Sequence, residues 1–155
     1  MKKKTMLLAV VAVLAAAVVC IAADDMNMGT WKLNEAKSKI AAGTTKNHTV
    51  VYAAAGDSVK VTVDGVTADG KPAHTEWTGK FDGKDYPVTG DAASDTRAYK
   101  RVNSHTLAMT IKKDGKVTST GRITVSADGK SRTVVISATD AAGKKTSSTA
   151  VYDKE

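Results

Sequence analysis

The stretch Met28-Gly29-Thr30-Trp31-Lys32-Leu33 marks the point in this sequence at which a fold begins. From Gly29 to the C-terminus, short segments of alternating apolar and polar residues follow one another, separated by turn residues. A period of two is typical of strands that bury one face. Trp31 is the largest side chain in the first of these segments, and burying an indole contributes substantially to stability. We therefore expect this strand to anchor the core of an all-β domain.

Asp-Gly pairs punctuate the alternating segments and predict tight hairpins, because a type I′ turn needs a positive φ at both central residues. The five pairs are Asp64-Gly65, Asp69-Gly70, Asp82-Gly83, Asp114-Gly115 and Asp128-Gly129. The predicted strands are 29–33, 47–54, 58–66, 72–80, 84–88, 96–102, 106–112, 116–126, 132–139 and 146–152, with a short helix around 35–39. This spacing predicts an antiparallel meander of about eight to ten strands, closed as a barrel or folded as a sandwich.

The residues before this domain have the composition of a signal peptide. Residues 2–4 are lysines, residues 6–21 are apolar and uncharged, and Ala22-Ala23 offers small residues for cleavage. We expect a signal peptide at 1–23, a single domain at 24–155, and a periplasmic or secreted protein. An uncleaved membrane anchor is the alternative, because the apolar run is borderline for a bilayer of ~30 Å.

Cys20 is the only cysteine, and it lies inside the predicted signal. A bacterial lipoprotein would be cut just before such a cysteine, but that processing prefers a small residue where this chain has Val19. We therefore expect cleavage at Ala22 or Ala23 in preference to lipidation. The mature chain would then have no disulfide, thiol nucleophile or thiolate metal site.

The charge pattern is that of a soluble surface. The sequence has 23 Lys and Arg and 16 Asp and Glu, and the three lysines at 2–4 leave 20 against 16, or +4, in the mature chain. These charges are interspersed, apart from short pairs such as Lys112-Lys113 and Lys144-Lys145. No nucleic-acid partner is predicted, and the membrane is expected only through the signal or a lipid at Cys20.

The apolar faces of the predicted strands are lined by few large side chains. One face each is formed by Val59, Val61 and Val63; by Leu107, Met109 and Ile111; by Val117, Ile123 and Val125; and by Val134, Ile136 and Ala138. Many other inward positions are Ala, Ser, Thr or Gly, and aromatic residues make up only 5% of the chain. Such a sheet either flattens until its faces meet or encloses a cavity.

The opening Gly29-Thr30-Trp31-Lys32-Leu33 resembles the first strand of the calycin barrels, which include lipocalins and fatty-acid-binding proteins. Fatty-acid-binding proteins often begin Gly-Thr-Trp-Lys-Leu, and the resemblance implies a structural, barrel-closing role for Gly29 and Trp31. It also implies a calycin-like up-and-down barrel that holds a small hydrophobic or amphipathic molecule, such as a lipid, without a covalent bond.

The last strand departs from the fatty-acid-binding pattern. Those proteins often carry Arg-x-Tyr there, with both side chains on the ligand carboxylate, whereas this chain has Ala150-Val151-Tyr152. The connection 34–45 is also too short for their two-helix cap. The chain therefore most resembles a small exported, bacterial, lipocalin-like protein.

Seven residues are candidates for ligand binding. They are Trp77, Phe81, Arg97, Tyr99, Arg101, Met109 and Tyr152. Period two places Arg97, Tyr99 and Arg101 on one face of a strand. Facing inward, they would hold an acidic head group; facing outward, they would form a solvated stripe. Trp77 and Phe81 share a face, and we interpret them either as core residues or as part of the pocket wall.

No catalytic centre, cofactor or metal site is predicted. His74 and Glu76 could ligate a metal together, but an isolated pair on a strand is common by chance. The serines lie in no nucleophile elbow, and the glycines follow hairpins and make no phosphate loop. The function predicted is non-enzymatic small-molecule binding; the alternative is a packed barrel that acts through its surface.

Overall fold

The computed structural model describes residues 25–139 and 142–155, so the predictions for the signal peptide 1–23 and for Cys20 lie outside the described residues. The ten strands are β1 Gly29–Leu33, β2 Lys46–Ala55, β3 Ser58–Val66, β4 Pro72–Gly79, β5 Tyr86–Thr89, β6 Thr96–Asn103, β7 Thr106–Lys113, β8 Lys116–Val125, β9 Ser131–Thr139 and β10 Lys145–Lys154. Within the described ranges, no helix has the length and apolar character that crossing a membrane requires.

The ten strands form one closed antiparallel barrel. Each strand pairs with its neighbour in sequence, and β1 closes the barrel by pairing with β10 as well as with β2. In β1, Trp31 lies opposite Lys154 on one side and Val50 on the other. The predicted up-and-down β-barrel is therefore confirmed, and the sandwich is not observed.

The Asp-Gly pairs occupy different structural positions: one forms a hairpin turn and another lies inside a strand. Asp114 and Gly115 have φ values of 50° and 74°, as the type I′ turn between β7 and β8 requires. Asp64-Gly65, by contrast, lies inside β3, so its prediction as a turn is wrong. A Cβ on Gly65 would lie 2.0 Å from the Lys46 carbonyl oxygen. Glycine is needed there because the β2 backbone approaches closely, beside a register shift in the β2–β3 pairing.

The connection between β1 and β2 runs back along the barrel wall. It holds a single 3-10 turn at Glu35–Lys37, with Asn34 as its N-cap, in place of the longer helix predicted around 35–39. Lys39 then pairs with Thr149 of β10, and the Ala41 N–H donates to Ser148 Oγ at 2.9 Å. The connection therefore leads directly to the barrel end at which β2 begins.

The two barrel ends differ. At the closed end, Trp31 and Leu107 are fully buried, and the Trp31 indole N–H donates to the Asn27 carbonyl at 2.9 Å. Residues 25–28 therefore cover this end, as a plug held to the barrel by Trp31. At the opposite, open end lie the turn 67–71, the loop 90–95, and the β7–β8 and β9–β10 hairpins.

The predicted faces are confirmed with one exception. Val59, Val61 and Val63 are buried, as the alternation in β3 predicted. Val117, however, is 56% exposed, although the period placed it on the same face as Ile123. A β-bulge is the reason: Ile111 pairs with Ser119 and Lys112 with Val117, so Thr118 is an extra residue that reverses the alternation.

Candidate ligand pocket inside the barrel

A small cavity of about 70 Å³ lies within the barrel, and we call it the inner cavity. Its lining comes from strands on all sides of the barrel, and it is apolar except for two arginines, three tyrosines and an asparagine. The lining residues are Asn47, Val50, Tyr52, Val63, Arg97, Tyr99, Met109, Ile111, Ile123, Arg132, Val134, Ile136 and Tyr152. Polar groups gathered in an otherwise apolar chamber are typical of small-molecule sites.

Arg132 is the most enclosed charge in this lining. It is the second residue of β9 and shares the inward face with Val134, which leaves it only 2% exposed. Its guanidinium carbon lies 4.8 Å from the centroids of both the Trp31 and the Tyr52 rings, and 4.9 Å from that of Tyr152. These are cation–π distances, so the rings position the group and stabilise its charge.

The aromatic contacts leave part of the Arg132 guanidinium without a hydrogen bond. Nε and Nη1 of Arg132 are buried and have no partner atom. A buried polar group without a partner costs free energy, and more so when it carries a charge. Because Arg132 lines the inner cavity, an acceptor there would lie beside a guanidinium whose hydrogen-bonding capacity the protein leaves partly unsatisfied.

Arg97 supplies a second buried guanidinium. The residue is 9% exposed, and its Nε also has no partner. Its Nη2 lies 3.8 Å from Oδ2 of Asp91, which is itself held by the Ser94 hydroxyl at 2.5 Å. The Trp77 indole N–H donates to the Arg97 carbonyl at 2.8 Å and fixes the backbone of β6 at this point. Arg97 therefore connects the inner cavity with the loop 90–95 at the open end.

Two tyrosines of the lining, Tyr152 and Tyr52, are neutral at ordinary pH. Burial raises the pKa of Tyr152 to about 12. Burial, assisted by the neighbouring Tyr99, also raises the pKa of Tyr52. The Tyr152 hydroxyl donates to the Asn47 carbonyl at 3.1 Å, which ties β10 to the start of β2. Two phenols therefore stay protonated beside two cationic guanidiniums.

The inner cavity has a positive lining. Among the residues that the structure describes, its wall contains Arg97 and Arg132 but neither aspartate nor glutamate. Asp91 contacts Arg97 from the mouth and offsets part of one charge. An anion is the group that such a lining favours, because guanidinium N–H groups bind carboxylates with charge-assisted hydrogen bonds.

Two wider spaces lead from the open end toward this cavity. One has a volume of about 230 Å³ and shares Asn47, Ile111, Val134, Ile136 and Tyr152 with the inner cavity; we call it the mouth pocket. Its remaining wall is formed by the β1–β2 connection and by β8, β9 and β10. The other is a groove of about 620 Å³ beside the loop 90–95, and it reaches Arg97. The mouth pocket and the inner cavity together form an elongated site.

The structure places the seven predicted residues in three locations. Four of them line the inner cavity: Arg97, Tyr99, Met109 and Tyr152. Trp77 packs against Tyr99 with ring centroids 4.7 Å apart, within the core. Phe81 and Arg101 lie at the closed end, where the Arg101 guanidinium sits 5.2 Å from the Phe81 ring and pairs with Asp25.

Sequence reasoning missed Arg132 and Tyr52. The signal for Arg132 was its position two residues before Val134, on the inward face that the alternation had already identified. In the folded barrel, Arg132 lies directly opposite Tyr152 in the β9–β10 pairing. Arg132 and Tyr152 are therefore cross-strand neighbours in the wall of the inner cavity.

His74 and Glu76, the pair considered as metal ligands, lie on the outer surface of the barrel. His74 Nδ1 is 2.6 Å from Asp64 Oδ1, and its Nε2 is 3.6 Å from Glu76 Oε1. The hydrogen bond with Asp64 is the largest influence that raises the pKa of His74. In the part of the chain that the structure describes, no three His, Cys, Asp or Glu side chains are grouped so that they could hold a metal ion.

Comparisons with known proteins give likeness in structure alone. No family model and no curated protein sequence matches the chain. A solved structure of EF1p2_mFAP2b bound to DFHBI is 12% identical, covers 84% of this chain and 94% of its own, and gives a TM-score of 0.47. A redesigned β-barrel, mFAP1, bound to DFHBI is 17% identical, covers 85% of this chain and 98% of its own, and gives a TM-score of 0.44.

Proposed function

We propose that this chain is an exported, lipocalin-like binding protein of the periplasm or the extracellular space, and that it is not an enzyme. It holds a small amphipathic molecule inside the barrel, with an acidic group of the ligand against Arg132 and Arg97. The observation that carries this proposal is the buried Arg132 guanidinium, whose Nε and Nη1 have no hydrogen-bond partner. The signal-like sequence of residues 1–23 supports export.

The energetics favour an anionic ligand. A buried charge that lacks hydrogen bonds costs free energy, which a carboxylate offsets by accepting from the free N–H groups. Arg97 and Arg132 are also buried, so their attraction to a carboxylate is screened less than it would be at the surface. Neutral Tyr152 and Tyr52 add no competing negative charge, because burial keeps both phenols protonated.

The volumes favour an orientation with the acidic group innermost. A cavity of about 70 Å³ has room for a head group, since one water molecule occupies ~30 Å³ in the liquid. The mouth pocket of about 230 Å³ is lined by apolar groups, among them Ile40, Ile111, Ile136 and Ala138, and suits an alkyl tail. Burial of that tail contributes ~25 cal/mol per Å² before ordering costs are subtracted.

The test is a pair of ligands that have the same alkyl chain length and differ in the head group. Calorimetric titration compares decanoate with decanol, which has the same chain length and no carboxylate. We expect the protein to bind decanoate at least about tenfold more tightly, a difference of ~1.4 kcal/mol that one charge-assisted hydrogen bond can supply. Equal affinity for the two ligands would contradict an acidic head group, and binding of neither would favour the surface-acting barrel.

Variants locate the site. Arg132→Gln removes the charge and should abolish the preference for decanoate, whereas Arg122→Gln, on the exposed face of β8, is the matched control and should keep it. Because Arg132 also packs against three rings, the fold of its variant is checked by the cooperativity of thermal unfolding. Arg97→Gln provides a second variant. We expect it to weaken decanoate binding without affecting the contacts of Arg132 with its three rings.

A further inference from the structure

The two arginines of the inner cavity differ in their nearest negative charge. Oδ2 of Asp91 lies 3.8 Å from Nη2 of Arg97, on the side of the groove beside the loop 90–95. Arg132 has no such neighbour, since no carboxylate oxygen of the described residues lies within 4.0 Å of its guanidinium nitrogens. Two guanidiniums and a single carboxylate therefore leave one positive charge of the site without a counter-ion.

Asp91 is held in place by its own loop. The Ala93 N–H donates to Oδ1 of Asp91 at 2.9 Å, and the Ser94 hydroxyl donates to Oδ2 at 2.5 Å. Gly90 fixes the start of the loop against β4, because a Cβ there would lie 2.0 Å from a carbonyl oxygen of that strand. The Asp91 carboxylate therefore does not depend on Arg97 for its position.

The contact with Asp91 offsets part of the charge of Arg97 but leaves one of its donors free. A separation of 3.8 Å is longer than a hydrogen bond, and Nε of Arg97 is buried without a partner atom. A ligand carboxylate beside Arg97 can therefore still accept a hydrogen bond. Any further negative charge on that ligand would lie close to Asp91, and like charges repel strongly where burial reduces screening.

We propose that Asp91 is a specificity-determining residue, and that it restricts the site to ligands with a single negative charge. This inference rests on the proposed function and deepens it, because it names the charge class of the ligand. A carboxylate matches the one positive charge without a counter-ion. A phosphate monoester carries up to about two negative charges at neutral pH, so its second charge is repelled by Asp91. A repulsive element of this kind is a common source of specificity.

The size of the head group is a second way in which the site could select its ligand, since the inner cavity holds only about 70 Å³. Charge and size are separated by a sulfate ester and a phosphate monoester of the same alcohol. Both head groups are tetrahedral and similar in size. The sulfate ester carries one negative charge, whereas the phosphate monoester carries nearly two at pH 8, because its second pKa is about 6.

The test is calorimetric titration of decyl sulfate and decyl phosphate at pH 8. We expect the wild type to bind decyl sulfate at least about tenfold more tightly than decyl phosphate. Asp91→Asn keeps the shape of the side chain and removes its charge. This variant should bind both esters more tightly and lower the ratio of their affinities by about tenfold, because the lost repulsion is greater for the dianion.

A matched control is Asp69→Asn, in the turn 67–71 at the same end of the barrel. Asp69 pairs there with Lys71 at 2.8 Å, so the variant also removes a carboxylate from an ion pair. Asp69→Asn should leave the affinity ratio of the two esters as it is in the wild type.

The role of Asp91 and the proposed function fail in different ways. Equal affinity of the wild type for the two esters, or an equal change of their ratio in Asp69→Asn, would overturn the role of Asp91. An equal loss of both esters in Asp91→Asn would also overturn it, because the residue would then only support the loop. Binding of decanoate but of neither ester would mean that size selects the ligand. Binding of neither decanoate nor the esters would overturn the proposed function and, with it, this inference.

Discussion

At the scale of single residues, Tyr152 of the inner cavity makes the stability of the fold depend on pH. Burial raises its pKa to about 12, against an ordinary value of 10.0. The folded protein therefore keeps a proton that the unfolded chain loses first. The stability that this neutral phenol contributes is complete below pH 10 and is lost as the pH rises toward 12.

The variant Tyr152→Phe distinguishes the stability contributed by the Tyr152 hydrogen bond from the stability that depends on its raised pKa. Below pH 10 the variant should be less stable by about 1 kcal/mol, because the Asn47 carbonyl loses its donor. Between pH 10 and 12 the wild type should lose up to roughly 2 kcal/mol more than the variant, so the difference closes or reverses. Urea unfolding of both proteins across this pH range measures the difference in stability. Parallel stability curves would mean that the phenol titrates normally in the folded state.

The alternation placed Arg97, Tyr99 and Arg101 on one strand face but left open whether that face points inward or outward. Arg97 and Tyr99 line the inner cavity, whereas Arg101 pairs with Asp25 at the closed end. Arg132 obeys the same alternation as Val134, but a charged residue near a strand end is ordinarily solvated. Only the cross-strand contact with Tyr152 and the stack on Trp31 distinguish it, and neither is encoded in local spacing.

At the scale of elements, the plug at residues 25–28 closes one end of the barrel through Asp25. Its Oδ1 accepts from the Asn27 N–H and side-chain amide, both at 3.0 Å, and its Oδ2 accepts from Arg101. Burial alone would raise the pKa of Asp25, but these hydrogen bonds outweigh it and lower the pKa below 3.8. The plug is therefore held partly by a carboxylate that must be ionised.

Asp25→Asn tests this anchor. A carboxyl group with a lowered pKa stabilises the fold at pH values above 3.8 and stops doing so as the pH falls through its lowered value. We expect the variant to be less stable by ~0.5–1 kcal/mol at pH 7, as for a partly exposed ion pair, and equal to the wild type near pH 2. Urea unfolding at both pH values measures the difference. An unchanged difference at low pH would assign the loss to packing.

The elements also mark the limit of what the sequence predicts. Alternation located every strand within a few residues, because half-buried strands need it. The alternation assigned Val117 to the wrong face, because one extra residue in β8 reverses the faces. The Asp64-Gly65 pair was predicted as a turn, but its glycine allows the β2 backbone to approach closely. Bulges and close approaches depend on the neighbouring strand, so a single strand's sequence does not reveal them.

At the scale of the whole molecule, the barrel is closed but not filled. The aromatic residues pack around Trp77 and Trp31, while small side chains line the upper walls and leave the mouth pocket open. The number and spacing of the strands left a barrel and a sandwich open, and only the resemblance of the first strand to the calycins implied a barrel. The volume that remains inside could not be predicted, because it depends on how five large rings and two arginines share the interior.

On the proposed function, an incompletely satisfied interior makes the stability of the whole barrel depend on the bound molecule. A ligand that binds only the folded state adds RT ln(1 + [L]/Kd), or about 2.7 kcal/mol at a concentration ~100 times Kd. For a domain of this size we expect the unfolding midpoint to rise by roughly 10 °C with decanoate. Calorimetry of the wild type measures this shift, and Arg132→Gln should show much less of it. A shift of equal size with decanol would mean that the tail alone stabilises the barrel and that the buried arginines serve packing.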